Sequence, residues 1–178
     1  MSFVLVVGGA RSGKSRYAER LAHRAQSAGQ PVTYLATAGP PRDDEMAARI
    51  AAHQARRPAC WASVEEPRHI APIVCDTAGL LLVDCLTLWL TNVMLADADI
   101  DVAVDELMAA FDRRAGTVIA VSNETGLGIV PATALGRAFR DAQGVLNQRV
   151  AAAADHVVMM VAGCPIALKP RPEPEIEL

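Results

Sequence analysis

The sequence predicts an α/β fold, a mostly parallel sheet flanked by helices in a single domain, and three observations carry that reading. Five β-type runs, Phe3–Val7, Val32–Ala36, Leu80–Asp84, Thr117–Val121 and His156–Val161, are nearly continuous in Val, Leu and Ile, as strands covered on both faces are. Helical patterns separate them over about 14–28, 43–56, 100–114 and 134–154, and such alternation builds parallel sheets. The first run also feeds directly into a glycine-rich loop that opens a helix.

That loop reads GGARSGKS over residues 8–15 and meets the pattern G-x-x-x-x-G-K-[ST] through Gly8, Gly13, Lys14 and Ser15. Glycine lets successive N–H groups turn inward, and the following helix N-terminus adds partial positive charge, so the pair forms a phosphate cradle. In such a cradle Lys14 bridges the β- and γ-phosphates and Ser15 ligates Mg2+. A chance glycine turn is the competing explanation, and the buried strand before it with the helix behind it argues against that. The fold expected is therefore P-loop NTPase-like (RecA-like). The third run, LLLVD, ends on Asp84, an acid placed as the second Mg2+ partner, although a lone Asp ending a strand otherwise marks a turn. The stretch CDTAG (Cys75–Gly79) resembles a GTPase switch. A strand begins at once at Leu80, and no N-K-x-D guanine motif is present, so a GTPase timer is not expected. A short terminal strand around Ile166–Lys169 is possible. The tail PRPEPEIEL, with its alternating prolines and acids, should be extended or disordered, giving one domain over 1–169 and a tail over 170–178.

The helix over 43–56 carries the second chemical pattern. Asp43 and Asp44 suit its N-terminus and Pro58 closes its far end. Glu45, Arg49, His53 and Arg57 follow at steps of four along one face, with Arg56 beside them. A neutral imidazole can attack phosphorus while guanidiniums hold the oxygens. A solvated basic face with a bystander histidine has the same spacing, and spacing does not decide between them. His23, on a solvent-type helix, isolated His69 and strand-opening His156 read as structural.

Composition narrows the partners. With 52% hydrophobic and 21% charged residues the 178-residue chain has the makings of one real core. A net charge of −3 provides no field to gather nucleic acid, so anion recognition must be local. The longest apolar run, GLLLVDCLTLWL, is short and broken by Asp84, so no membrane anchor is expected, and the absence of a basic leader points to the cytoplasm. Cys60, Cys75, Cys85 and Cys164 lack C-x-x-C spacing and read as reduced, mostly buried thiols.

GGARSGKS, YLATA, DDEMAARIAAHQARRP, LLLVDCLTLWLTN, VSNETGLGIVP, GRAFRDAQGVLNQRVAAAAD and VAGCPIALK follow one another in that order. Together they resemble the bifunctional adenosylcobinamide kinase/adenosylcobinamide-phosphate guanylyltransferase family of cobalamin biosynthesis, over roughly 3 to 169. The resemblance implies two reactions. ATP or GTP phosphorylates adenosylcobinamide, and GTP then passes GMP through a histidine to adenosylcobinamide phosphate, giving adenosylcobinamide-GDP and pyrophosphate. It implies His53 as the nucleophile, with Lys14 assisting. It also implies nucleotide contacts at Gly8, Gly9, Ala10, Arg11, Ser12, Gly13, Lys14 and Ser15, at Ala36, Thr37 and Ala38, at Gln54, Ala55, Arg56 and Arg57, and at Glu65 and Asp84. Two departures stand out: Ala38 replaces a hydroxyl residue, and QARR differs from lysine- or glycine-containing versions of that turn. A homotrimer is implied as well. Polar residues suited to corrinoid amides are Asn123, Glu124, Arg140 and Asn147. A guanylyltransferase without the kinase step, or a GTP-binding regulatory protein, are the alternative readings.

Overall fold

In chain order the elements are β1 (Phe3–Gly8), α1 (Lys14–Ser27), β2 (Val32–Ala36), α2 (Asp44–Arg56), β3 (Ala62–Glu65), α3 (Ile70–Asp76), β4 (Leu80–Asp84), α4 (Leu86–Leu95), α5 (Ile100–Arg113), β5 (Val118–Val121), α6 (Ala134–Ala153), β6 (His156–Val161) and β7 (Cys164–Lys169). They come from a computed structural model that describes residues 2–41 and 43–171. The part of the expected tail from residue 172 onward lies outside the described residues, as does the side chain of Arg49.

One seven-stranded sheet runs in the order β3-β2-β4-β5-β1-β6-β7. Strands β1 to β6 pair in parallel, and β7 returns antiparallel to β6. The carboxyl ends of the parallel strands therefore share one edge, where α/β sheets bind ligands. Compared with the sequence reading, β3, α3 and α4 are additional, and the terminal strand begins earlier, at Cys164.

Both sheet faces are covered. On the first, Leu5, Leu35, Leu81 and Val83 pack with Trp89, Leu107, Phe111, Leu146 and Val150 from α4, α5 and α6. On the second, Val6, Tyr34, Leu82 and Val121 pack with Ala18 and Ala22 of α1. Leu5 and Val6 point to opposite faces and both are at 0% exposure, which is why β1 shows no apolar–polar alternation. Truncating such a leucine to alanine costs about 2–5 kcal/mol.

Opposite the carboxyl edge, the fold is closed by a buried guanidinium. Arg114, 2% exposed, donates to the carbonyls of Val74 (2.7 Å), Thr77 (2.6 Å) and Gly79 (2.7 Å), satisfying the end of α3 and the turn into β4. Among the described residues no helix is long and apolar enough to cross a membrane, and no group of three or more His, Cys, Asp or Glu is gathered as a metal site. The expectation of mostly buried thiols needs correcting. Cys85 is buried and Cys75 half-buried, but Cys60 lies exposed in the loop beyond α2 and Cys164 is exposed where edge strand β7 begins.

Candidate functional site

The phosphate loop bridges the carboxyl end of β1 and the first turn of α1. Gly8 (φ 152°), Arg11 (φ 54°) and Gly13 (φ 95°) all take positive φ. At Gly8 a Cβ would also stand 2.5 Å from the Met160 carbonyl, so only glycine fits there. Neighbouring chain pins the loop on two sides. Glu124 N donates to Gly8 O (3.0 Å) and Gly163 N donates to Ser12 O (3.1 Å). The Lys14 ammonium, largely buried, donates to Gly9 O at 2.6 Å. The Ser12 hydroxyl is buried with no hydrogen-bond partner among the described residues, inside a loop built for an anion.

Asp84, at the end of β4, is the junction of the site. Ser15 Oγ donates to its Oδ1 at 3.3 Å, while its Oδ2 receives the Tyr34 hydroxyl and faces His53 Nδ1 at 3.3 Å. Burial alone would raise the Asp84 pKa. The hydrogen bonds from His53, Tyr34 and Ser15 outweigh it and hold the carboxyl below its ordinary value. Burial and the adjacent carboxylate push the Tyr34 phenol well up, so it stays a donor.

His53 Nδ1 also lies 3.2 Å from Arg56 Nη2. One nitrogen thus faces both an acceptor and a donor, and the tautomer decides which bond forms. An ionised Asp84 favours the proton on Nδ1, and Arg56 Nη2 has Glu19 at 3.4 Å as its own acceptor. That assignment leaves the Nε2 lone pair of His53 free.

The helix bearing His53 begins as the sequence suggests, with Asp43 accepting from Met46 N at 2.7 Å. None of its described residues is buried, and polar contacts tie down its C-terminal end. Gln54 Nε2 donates to Glu65 Oε1 at 3.0 Å, and the Arg57 guanidinium lies 4.0 Å from the Tyr34 ring centroid. Gln54, Arg56, Arg57, Glu65 and His53 are thus brought to one edge with the phosphate loop. Ala55 is exposed on the same turn.

Ala36, Thr37 and Ala38 leave β2 beside this edge, but the Thr37 side chain faces inward. It is fully buried, and its hydroxyl donates to Cys85 O (2.6 Å) and accepts from Cys85 N (2.8 Å), locking β2 to β4. Sequence reasoning missed Tyr34 and Glu19. Glu19 sits four residues after Ser15 on α1, a spacing that could have flagged it; Tyr34 offered only an aromatic residue in an apolar strand. Of the polar residues considered for a corrinoid, Asn147 points inward, and Arg140 pairs with neighbouring Asp141 at 3.0 Å. His23 packs at a tilt against Trp61, His69 precedes α3 without a side-chain cap, and His156 opens β6 away from the site.

The family model for cobinamide kinase/cobinamide phosphate guanyltransferase matches residues 4–168. The bifunctional adenosylcobalamin biosynthesis protein CobP of Pseudomonas aeruginosa is 47% identical over 94% of this chain and 98% of its own length. The CobU protein of that description from Salmonella typhimurium is 41% identical over 93% and 99%. Among solved structures, the flagellar accessory protein FlaH of Methanocaldococcus jannaschii superposes with a TM-score of 0.57 at 16% identity, covering 94% of this chain and 78% of that one. That likeness bears on the fold alone, which is P-loop NTPase-like. By sequence, the chain belongs to the cobinamide kinase/cobinamide phosphate guanyltransferase family.

Proposed function

We infer that the chain phosphorylates adenosylcobinamide with ATP or GTP and then guanylylates the product through His53. The observation that carries this reading is the meeting of Ser15 and His53 on the two oxygens of one carboxylate, Asp84, beside a phosphate loop. A simple nucleotide switch has no use for a histidine so placed.

The oxygen donors Ser15 Oγ and Asp84 Oδ1 suit Mg2+, a hard cation that keeps several waters and takes few protein ligands. When bound there, the ion neutralises charge on the phosphates. In the kinase step the loop N–H groups and Lys14 hold the β- and γ-phosphates. The acceptor hydroxyl of adenosylcobinamide attacks the γ-phosphorus, the Pγ–O bond to the β-phosphate breaks, the nucleoside diphosphate leaves, and the hydroxyl proton passes to water. In the guanylyl step Asp84 keeps the Nδ1 proton on His53, so Nε2 attacks the α-phosphorus. The Pα–O bond to the β-phosphate breaks, and Lys14 steadies the departing pyrophosphate. A phosphate oxygen of adenosylcobinamide phosphate then attacks the same phosphorus, the P–N bond breaks, and His53 is regenerated as adenosylcobinamide-GDP forms. Arg56 and Arg57 hold non-bridging oxygens during both displacements.

Incubation with α-labelled and, separately, γ-labelled GTP tests this. A protein adduct should carry only the α label, be lost in acid, survive base, and vanish in His53→Ala. An adduct that persists in His53→Ala, or none in the unsubstituted protein, rejects the assignment. Transfer of γ label to adenosylcobinamide checks the kinase half separately.

A further inference from the structure

Tyr34 and Asp84 share one face of the sheet. Tyr34 pairs with Leu82 across the β2/β4 ladder, and Asp84 lies two residues beyond Leu82, so both side chains project on the same side. The tyrosine thus starts below the carboxyl edge, in the cluster that holds Ala18 and Ala22 of α1, and is 1% exposed. The small alanines of that helix leave room for a ring. Strand side chains lean along the strand, and a phenol is long enough to bring its hydroxyl up to Asp84 Oδ2, to which it donates.

The same ring supports the C-terminal end of α2. The Arg57 guanidinium lies 4.0 Å from its centroid, and Arg57 Nε is buried with no hydrogen-bond partner among the described residues. Arginine bonds a carboxylate more strongly than a neutral group, and Asp84 is the carboxylate at the ring's hydroxyl end. One tyrosine therefore stands between the two, with the cation on its face and the carboxylate at its tip. Both oxygens of Asp84 are in use. Oδ1 accepts from Ser15 at 3.3 Å, while Oδ2 takes the Tyr34 hydroxyl and faces His53 Nδ1 at 3.3 Å.

We propose that Tyr34 is a positioning residue for the guanylyl step: its hydroxyl holds Asp84 Oδ2 for His53, and its ring holds Arg57 off that same oxygen. This rests on the function inferred above and adds a residue that serves the reaction without touching the nucleotide. With the hydroxyl in place, one lone pair of Oδ2 is closed to Arg57 and another stays turned to His53 Nδ1. Without it, the unpartnered N–H of Arg57 and the vacated lone pair would bond each other. That single pairing would draw the guanidinium from the α-phosphate and the acceptor from His53. Ser15 bonds the other oxygen, so the side of Asp84 that faces the phosphate loop keeps its contact, and γ-phosphoryl transfer is affected far less.

The test uses Tyr34→Phe in the full chain, which keeps the ring under Arg57 and removes one oxygen; a urea midpoint confirms that it folds. Thr37→Val is the comparison, because the buried Thr37 hydroxyl bonds Cys85 O (2.6 Å) and Cys85 N (2.8 Å) and so steadies the whole strand end that bears Asp84. Three readouts are taken: single-turnover adduct formation from α-labelled GTP, kcat for γ-label transfer to adenosylcobinamide, and the 15N signals of the His53 ring near neutral to mildly alkaline pH. Tyr34→Phe should slow adduct formation about tenfold or more and change the kinase kcat by no more than about threefold. Thr37→Val should lower both reactions together. In an Arg57→Gln background, Tyr34→Phe should cost no more than about threefold, since no guanidinium is left to take Oδ2. The ring signals should place the His53 proton on Nδ1 in the parent and show mixed tautomers in Tyr34→Phe. An unchanged adduct rate, a fall shared equally with the kinase, or a full loss that persists without Arg57 overturns the proposal. So does a His53 tautomer that is the same in both proteins, or a parent His53 protonated on Nε2. A parent protein that forms no adduct counts against the guanylyl half of the function, while the ring signals, which need no GTP, still decide the role of Tyr34.

Discussion

Helices α1 and α2 are nearly the same length, each follows a parallel strand, and each carries part of the candidate site, yet they are held in opposite ways. In α1, Ala18 and Ala22 are at 0% exposure against the sheet, and that packing fixes the phosphate loop at its head. Among the described residues of α2 none is buried, and its anchors are polar and gathered at the end that bears His53. The core thus positions the loop, which must present a fixed cradle. A few polar contacts centred on Asp84 position the histidine.

Removing the centre of those contacts should have the largest effect. Asp84→Asn keeps the shape but supplies an amide that can donate to His53 Nδ1, which favours the wrong tautomer. Adduct formation from α-labelled GTP should fall on the order of 10²–10⁴-fold in single-turnover measurements. A rate within a few-fold of the parent would mean that Asp84 does not set the tautomer.

The packing difference is measured by a matched pair. Ala22→Leu forces extra methylenes into a filled face and should destabilise by about 1–3 kcal/mol in urea unfolding. Ala52→Leu, on exposed α2, should stay within about 0.5 kcal/mol. Equal costs would show that α2 is packed like α1.

The smallest effect is chemical. Burial and the nearby Asp84 charge push the Cys85 thiol up to about 11, so at pH 8 roughly one molecule in 10³ carries the thiolate. Cys60, beyond α2, and Cys164 are exposed. A thiol-exchange reagent at pH 8 should label Cys60 and Cys164 quickly and Cys85 only on unfolding. Fast labelling of Cys85 would mean that the core beneath α1 opens.

What could be read from the sequence follows the same physics. Helices α1, α2, α5 and α6 are amphipathic, and their expected bounds agree with the structure to within a residue or so. Helix α4 was hidden because LTLWLTNVML is apolar nearly all round and continues the run of β4 with no polar face to give a period. Strand β3 was hidden for the opposite reason: it is an edge strand in which only Val64 is half-buried. Helix α3 spans seven residues with Pro72 inside, too short for a pattern. In the candidate site, Lys14, Ser15 and Asp84 could be proposed from the sequence because local chain geometry brings them to the loop and the strand end. Tyr34 was not, because its role depends on Asp84 and Arg57 arriving from elsewhere in the chain.

The carboxylate of Asp84 bonds Ser15 through one oxygen and meets His53 through the other. Natural selection therefore sees those two contacts as a single inherited character. On the function proposed above, a lineage that lets this acid drift would weaken both steps at once, because both lean on the same carboxylate. Dividing the labour between two descendant genes would then call for substitutions elsewhere, such as on α2 in the daughter that gives up the histidine, with position 84 left alone in both.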